Sequence, residues 1–380
     1  MGLVVGIDAS RNRSGGAQAH IIGILSECDP AKSGIEKIHI WAFKSLLDRL
    51  PNFSWLIKHN PPELQQGLFK QLTWQAFTLS KEAKLLGCNI IFATDASTLS
   101  RFKPLIVLSQ DMLSYEPGIM RYFGYSFFRF RLLAILVIQN LAFRRANGVI
   151  FLTRYAARLI QYSCGKIQNY KCIPHGVDPI FRRLKLSDNF PKNKTDPIRA
   201  VYVSNTEMYK HQWVVVQAIS TLRNRGYNLH CSFVGGGKGR SLKLLQESIS
   251  KLDPKGIFIK QLSFLAHNKL PKLLQDMDLY IFASSCENMP VTLIEGMASG
   301  LPIACSNRGP MPEVLEDGGV FFDPENSDSI ANAIEQILLS SELRSKITKR
   351  AINLSHQFTW QRCSYETLEF IAKTYLSAKQ

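Results

Sequence analysis

The stretch DLYIFASSCENMPVTLIEGMASGLPIACSN, residues 278–307, reads as a strand, a polar loop, a helix and a second strand. Its apolar runs 278–285 and 301–307 have the length and composition of buried parallel strands. Pro290 suits the first position of a helix, and Gly300 marks the end of that helix. This succession predicts one unit of a parallel sheet that is covered by helices.

The same alternation extends along the whole chain. The other predicted strands are 3–10, 37–43, 89–95, 105–111, 148–153, 198–204, 228–235, 256–263 and 319–324. Helical patterns, such as 62–86 and 126–146, lie between several of these strands. With 380 residues the chain is long enough for two domains. We therefore predict an α/β protein with two Rossmann-like, doubly wound parallel-sheet domains.

A polar segment rich in Pro, Asp and Lys interrupts the pattern between Pro174 and Pro197. Such a composition is typical of a linker. We predict an N-terminal domain over 1–178, a linker over 179–197 and a C-terminal domain over 198–360. Ligands of such sheets bind beyond the carboxyl ends of the strands, so the cleft between the domains is the expected site.

The composition indicates a cytoplasmic protein. The eight cysteines include no CxxC pair, which favours reduced thiols over a disulfide framework or a zinc site. No apolar run is long enough for a membrane-spanning helix, and the first residues lack the features of a signal peptide.

The net charge of +16 predicts an anionic partner. Because no nucleic-acid-binding motif accompanies this charge, we do not expect nucleic acid. The segment 121–145 alternates arginines with aromatic and aliphatic residues. It could lie on an anionic membrane surface, or it could bury its apolar face in the domain with the arginines at the rim.

Two glutamates in the opening stretch are candidate ligand contacts. Glu287 lies on the loop after the strand, and Glu295 lies about one turn into the helix. At about 1.5 Å per residue, their carboxylates could reach one ligand roughly 8–10 Å apart. This span suits a nucleotide sugar, with one acid on the ribose hydroxyls and the other on the sugar hydroxyls. The alternative is a pair of solvated surface glutamates.

Two further loops at strand ends could contact phosphates. Lys210 stands near the start of the helix after strand 198–204, where its ammonium could neutralise a diphosphate leaving group. Gly15 and Gly16 separate the first strand from a helix and would let the backbone approach a ligand. The alternatives are a surface lysine and a simple tight turn.

Two other motifs have structural interpretations. VGGGKGR, residues 234–240, reads as a turn after a strand, and the alternative is a loop that faces a phosphate. Asp276 and Asp278 form a D-x-D pair, which we expect to cap a helix–strand junction. We therefore predict no metal site.

Taken together, these motifs resemble glycosyltransferase family 4, the retaining nucleotide-sugar transferases of the GT-B fold. ENMPVTLIEGMASGLPIACSNRGPMPEV (287–314) is similar to the family's E-x7-E motif and the residues after it. CIPHGVD (172–178) is similar to its I-P-N-G-V-D segment, and ANGVIFLTRYAARLI (146–160) to a strand-to-helix step. The resemblance covers almost the whole chain, and it implies that the last helix, 361–380, packs back on the N-terminal domain.

The resemblance also implies roles for individual residues. Glu287 would contact the transferred sugar, Glu295 the ribose of the donor, and Lys210 the diphosphate. Gly16 would lie beside the phosphates or the acceptor.

The loop before the helix would complete the donor pocket. Backbone N–H groups of Asn288, Met289 and the neighbours of Pro290 would contribute to it, since proline has no N–H.

The chain departs from the family at two positions. Asn205 stands where an arginine usually precedes the lysine, so neutralisation of the diphosphate would rely on Lys210. Gln110 replaces the histidine of an H-D pair before Asp111, and we expect both, with Gly15, in an acceptor or sugar pocket.

The implied activity is that of a glycosyltransferase, a hexosyltransferase that uses a UDP- or GDP-type sugar without a metal or other cofactor. The acceptor would be a hydroxyl of a glycan or lipid-linked glycan in cell-surface polysaccharide or lipopolysaccharide synthesis. Two alternatives remain open at this stage. One is a GT-B sugar-nucleotide epimerase, and the other is a non-catalytic protein that binds sugar nucleotides or nucleic acid.

Overall fold

The computed structural model describes residues 2–13, 15–182, 190–191 and 193–379. The chain forms two compact units. The N-terminal unit comprises Met1–Gly176 with Thr359–Gln380, and the C-terminal unit comprises Val177–Phe358. Residues 183–189 and 192 of the predicted linker, and Gln380 of the predicted last helix, lie outside the described residues.

The sheet of the N-terminal unit has seven strands in the order β3-β2-β1-β4-β5-β6-β7, and all neighbours are parallel. These strands are β1 (Leu3–Asp8), β2 (Ile35–Trp41), β3 (Leu56–His59), β4 (Ile90–Ala93), β5 (Leu105–Leu108), β6 (Gly148–Phe151) and β7 (Tyr170–Cys172). The central strands β4 and β5 are wholly buried, as expected for a parallel sheet with both faces covered.

The sheet of the C-terminal unit has six strands in the order β10-β9-β8-β11-β12-β13, again with parallel neighbours. These strands are β8 (Ile198–Val203), β9 (Leu229–Val234), β10 (Ile259–Leu262), β11 (Leu279–Phe282), β12 (Ile303–Ser306) and β13 (Val320–Phe322). The predicted α/β class with two Rossmann-like parallel sheets is therefore confirmed.

Helices connect the strands. They are α1 (Gly15–Ser26), α2 (Lys44–Leu47), α3 (Leu68–Thr73), α4 (Leu79–Leu85), α5 (Phe127–Arg145), α6 (Arg154–Cys164), α7 (Gln212–Asn224), α8 (Gly239–Leu252), α9 (Leu270–Gln275), α10 (Val291–Ala298), α11 (Met311–Leu315), α12 (Ser327–Leu339), α13 (Ser341–Ser355) and α14 (Trp360–Ser377). Among the residues that the structure describes, no helix is long and apolar enough to cross a membrane.

The structure differs from the predicted elements in two places. The strands β3 and β7 were not predicted, because they are short and only partly buried and so lack a continuous apolar run. The helical pattern at 62–86 is divided into a 3-10 turn, α3, a π-helical turn at Trp74–Thr78 and α4.

Each sheet has a point at which the strand order reverses. In the N-terminal unit this point lies between β1 and β4, and in the C-terminal unit it lies between β8 and β11. The loops after such neighbouring strands diverge and leave a crevice at the carboxyl edge, where ligands bind in open α/β sheets. The structure therefore directs attention to the loops after β8 and β11.

Within the N-terminal unit, α14 packs closely against α1. Gly23 lies where the helices meet, and a Cβ atom built on it would lie 2.3 Å from the Trp360 ring. The close approach therefore depends on glycine at this position. Two buried histidines lie beside the same tryptophan: His20 Nδ1 and His175 Nδ1 are 2.7 Å apart.

This histidine pair should make the stability of the chain sensitive to acid. Burial lowers the pKa of His175 from 6.5 to about 4. Burial and repulsion from His175 lower the pKa of His20 well below 6.5. Both neutral rings therefore stabilise the folded state above about pH 6.5, and this contribution is lost as the pH falls towards 4.

We expect His175→Asn to reduce the loss of stability between pH 7 and pH 4.5 by up to about 3 kcal/mol, as measured by urea unfolding. The exposed Asn353 on α13 provides a control without a titrating side chain, because Asn353→Ser should leave the pH dependence unchanged. An identical pH dependence in wild type and His175→Asn would show that the pair does not control acid stability.

Candidate functional site

Two loops of the C-terminal unit are joined at the carboxyl edge of its sheet. The Ser285 N–H, after β11, donates to the Tyr209 carbonyl, after β8, at 2.8 Å. His211 Nε2 and Ser285 Oγ also lie 2.8 Å apart. The Tyr202 hydroxyl donates to the Lys210 carbonyl at 2.8 Å. These bonds fix the backbone that carries Lys210 and Glu287.

Lys210 and Glu287 form an ion pair at this junction. The Lys210 side chain is 9% exposed and the Glu287 side chain is 16% exposed, so neither is an ordinary surface charge. The Lys210 ammonium also lies 5.7 Å from the centre of the Phe282 ring. Because a buried charge is costly without a partner, each of these groups depends on the other. The sequence predicted both residues as candidates but did not predict their pairing.

The second predicted carboxylate, Glu295, lies in α10 and is 4% exposed. Its Oε1 is 2.7 Å from His267 Nε2. Burial raises the pKa of Glu295, while the contact with His267 acts in the opposite direction. The alternative that Glu295 is a solvated surface glutamate is therefore wrong.

The remaining predicted residues of this unit lie around the same loops. Asn288 and Met289 are buried between Glu287 and α10. Pro290 immediately precedes the helix instead of occupying its first position. Asn205 is exposed, after the end of β8.

The N-terminal unit carries the other predicted residues. Gly15 and Gly16 are the first two residues of α1, and a Cβ atom on either would have no neighbour within 4 Å. Gln110 and Asp111 follow β5. Asp111 accepts a hydrogen bond from the Leu113 N–H at 2.9 Å. The amide nitrogen of Gln110 is buried and has no hydrogen-bond partner in the described part of the chain.

The D-x-D pair and the VGGGKGR segment both make contacts within the fold. Asp278 accepts hydrogen bonds from the backbone and guanidinium of Arg199, at 2.8 to 3.2 Å. In VGGGKGR, Gly235 has a φ of 134°, and a Cβ atom there would lie 2.3 Å from the Ser204 carbonyl oxygen. This turn therefore requires glycine. Across the described ranges, no three His, Cys, Asp or Glu side chains are grouped to hold a metal ion.

Three residues of the site were not predicted: His211, His267 and Ser285. No motif marks them, but each lies in a segment after a strand at the carboxyl edge. A search of every such segment for residues able to contact a buried carboxylate would have found His267. The contact between His211 and Ser285 depends on the approach of two loops that are distant in sequence.

Part of the chain matches known glycosyl transferases. Residues 185–354 match the family described as "Glycosyl transferases group 1". O-antigen chain mannosyltransferase B of Escherichia coli is 27% identical over 169 residues, which are 44% of this chain and 44% of that protein. Protein CapJ of Staphylococcus aureus is 26% identical over 210 residues, or 55% of this chain and 51% of that protein. The chain thus matches about half of the length of these curated relatives.

Solved structures extend the similarity to the whole fold. The crystal structure of Anabaena Alr3699/HepE in complex with UDP has a TM-score of 0.72 at 19% identity, and the match covers 98% of this chain and 100% of that one. A sucrose-phosphate synthase from Thermosynechococcus elongatus has a TM-score of 0.75 at 14% identity, with 99% and 100% covered. The predicted GT-B architecture is therefore confirmed.

Proposed function

We propose that this chain, a GT-B protein whose residues 185–354 match the group 1 glycosyl transferases, moves a sugar from a nucleoside diphosphate to a hydroxyl acceptor. The buried Lys210–Glu287 pair carries this proposal. It lies where the strand order of the C-terminal sheet reverses, which is where such folds bind nucleotides.

The pair can serve both sides of the bond that breaks. As the sugar leaves, negative charge develops on the diphosphate, and a fixed ammonium in a water-poor site stabilises that charge. Lys210 supplies the ammonium, while the Glu287 carboxylate accepts hydrogen bonds from sugar hydroxyls. Before the donor binds, the two charges compensate each other. We assign no protein nucleophile: the acceptor oxygen bonds to the anomeric carbon as the bond to the diphosphate breaks, and the leaving diphosphate takes the acceptor's hydroxyl proton. The reaction proceeds with retention at the anomeric carbon.

Glu295 is the proposed ribose contact. Carboxylates hold ribose hydroxyls in related dinucleotide sites. The contact with His267 fixes one oxygen of Glu295 and leaves the other to accept hydrogen bonds. The backbone of Asn288 and Met289, together with Asn205, would line the phosphates and sugar.

The N-terminal unit is proposed to hold the acceptor. Gly15 and Gly16 begin α1 in open space, so a ligand could approach their backbone closely. Gln110 offers a buried amide nitrogen as a donor, and Asp111 offers a carboxylate.

We further propose a UDP- or GDP-type donor and a glycan or lipid-linked glycan acceptor at the cytoplasmic face of a membrane. The names of relatives support this class of reaction: one is an O-antigen chain mannosyltransferase, and a similar structure was solved with UDP. Cell-surface polysaccharide or lipopolysaccharide synthesis is the process that fits such an acceptor.

A thermal-shift panel of UDP, GDP, ADP, CMP and dTDP sugars tests the donor site. One nucleotide should raise the melting temperature by a few degrees, since a ligand at about 100 times its Kd stabilises by about 2.7 kcal/mol. Glu295→Gln should weaken binding of that nucleotide by roughly tenfold, as expected for a lost charge-assisted hydrogen bond. Glu247→Gln, on an exposed face of α8, should leave binding unchanged. A panel without any shift would contradict the proposed donor site.

A further inference from the structure

Helix α5 exposes an apolar face, although it also buries the apolar side chains of Leu132 and Phe143. Five apolar side chains recur at helical spacing along the exposed face and are between 42% and 85% exposed: Phe127, Phe130, Leu133, Val137 and Leu141. With about 1.5 Å per residue, this outer face is roughly 21 Å long. A surface helix normally buries its apolar stripe and exposes its polar one.

Polar side chains of the same helix contact the protein. Gln139 is 3% exposed, and its amide donates to Ser97 Oγ at 3.3 Å. Asn140 accepts a hydrogen bond from the Tyr115 hydroxyl at 3.0 Å and donates to Ser163 Oγ at 3.0 Å. Helix α5 therefore buries both polar and apolar side chains and still leaves an apolar stripe exposed. An exposed apolar stripe of this length indicates that the outer face has an apolar partner.

The sequence segment that contains α5 carries only basic charges. Residues 117–177 contain nine Lys and Arg and no Asp or Glu, so this one segment supplies much of the net charge of +16. Arg129 and Arg131 lie within α5, and their guanidinium groups lie over the rings of Tyr125 and Phe128 at 5.3 and 5.9 Å. Arginines beside exposed aromatic rings can reach lipid phosphates while the rings enter the interface.

We propose that the outer face of α5 docks on an anionic lipid bilayer, with the helix lying in the interface. The exposed apolar stripe provides the surface that enters the acyl boundary, and the arginines of this basic segment provide attraction to negative headgroups. Because residues 117–177 carry basic charges without Asp or Glu, a lipid surface is favoured over a protein interface that pairs charges of both signs. The sequence left two interpretations of 121–145 open, and exposure of the apolar face favours the membrane.

Co-sedimentation with vesicles tests this docking. Wild type should bind phosphatidylcholine vesicles that contain phosphatidylglycerol much more tightly than pure phosphatidylcholine vesicles, and the difference should shrink at high salt. The triple variant Phe130→Ser, Val137→Ser and Leu141→Ser should lose at least tenfold in partitioning, because each side chain contributes apolar burial of roughly 1 kcal/mol or more.

Two further double variants test the specificity of docking: one removes apolar side chains elsewhere on the surface, and the other removes charges of α5. Leu339 and Leu376 are exposed to similar extents on α12 and α14, so Leu339→Ser with Leu376→Ser should bind vesicles like wild type. Arg129→Gln with Arg131→Gln should weaken binding to anionic vesicles by roughly 20-fold, at about fivefold for each charge. The same double arginine variant should bind neutral vesicles as wild type does.

Three results would contradict the docking proposal. The first is that wild type does not bind anionic vesicles, and the second is that the triple variant binds them as well as wild type. The third is that wild type is a dimer and the triple variant is a monomer. The last result would assign the outer face to a second copy of the chain. Nucleotide-induced thermal shifts should be the same in wild type and both α5 variants, so failure of docking is distinguishable from failure of the proposed transferase site.

Discussion

Replacing Lys210 with methionine should reduce kcat/KM for sugar transfer by roughly 10²–10³-fold. The methionine retains the length of the apolar stem but removes the charge that would stabilise the leaving diphosphate. The rate is measured as the release of nucleoside diphosphate, and the donor is the nucleotide sugar that shifts the melting temperature most.

Lys243 provides the matched control for this change. Its side chain is 78% exposed on α8 and pairs with the surface residue Glu247. Lys243→Met should therefore keep wild-type kcat/KM within about twofold, as expected for a surface pair of little energetic value. A loss of less than about threefold in Lys210→Met would show that Lys210 does not stabilise the leaving group.

The second large effect concerns stability. Glu287→Ala should lower the free energy of unfolding by about 3 kcal/mol, because it leaves the Lys210 ammonium buried without its partner. Urea unfolding at neutral pH measures this loss. The double variant Lys210→Met with Glu287→Ala should be more stable than Glu287→Ala alone, since no unpaired charge remains.

The exposed Lys243–Glu247 pair provides the control for this loss of stability. Glu247→Ala removes the partner of Lys243 and should change the free energy of unfolding by less than about 1 kcal/mol. If the losses in the Lys210 and Glu287 single variants simply add in the double variant, the two side chains are energetically independent. The ion pair would then have no role in the site.

The sequence predicted most of the fold because its parallel strands are continuous apolar runs. Strand β11, for example, is wholly buried, begins directly after Asp278 and is followed, one alanine later, by Ser284 and Ser285. By contrast, β3 and β7 are held by neighbouring strands and carry little signal of their own. Local composition does not specify a pairing that depends on the rest of the sheet.

In the candidate site, too, some features could be predicted from the sequence and others could not. The positions of Glu287 and Glu295 around a strand–loop–helix step were predictable, since loop and helix are adjacent in sequence. The partners of these carboxylates were not, because Lys210 and His267 come from segments after other strands of the sheet. Reversal of the strand order brings those segments together, and this tertiary arrangement has no local motif.

The most direct test of sugar transfer follows the sugar itself. The nucleotide sugar chosen by the thermal-shift panel, labelled in its sugar, is incubated with wild-type protein and a mixture of glycan and lipid-linked glycan acceptors. We expect the label to leave the nucleotide and to appear on an acceptor hydroxyl with its anomeric configuration retained, while one nucleoside diphosphate is released per transfer. Label that remains on the nucleotide, unchanged or as an isomeric sugar, would contradict transfer and favour a binding protein or an epimerase.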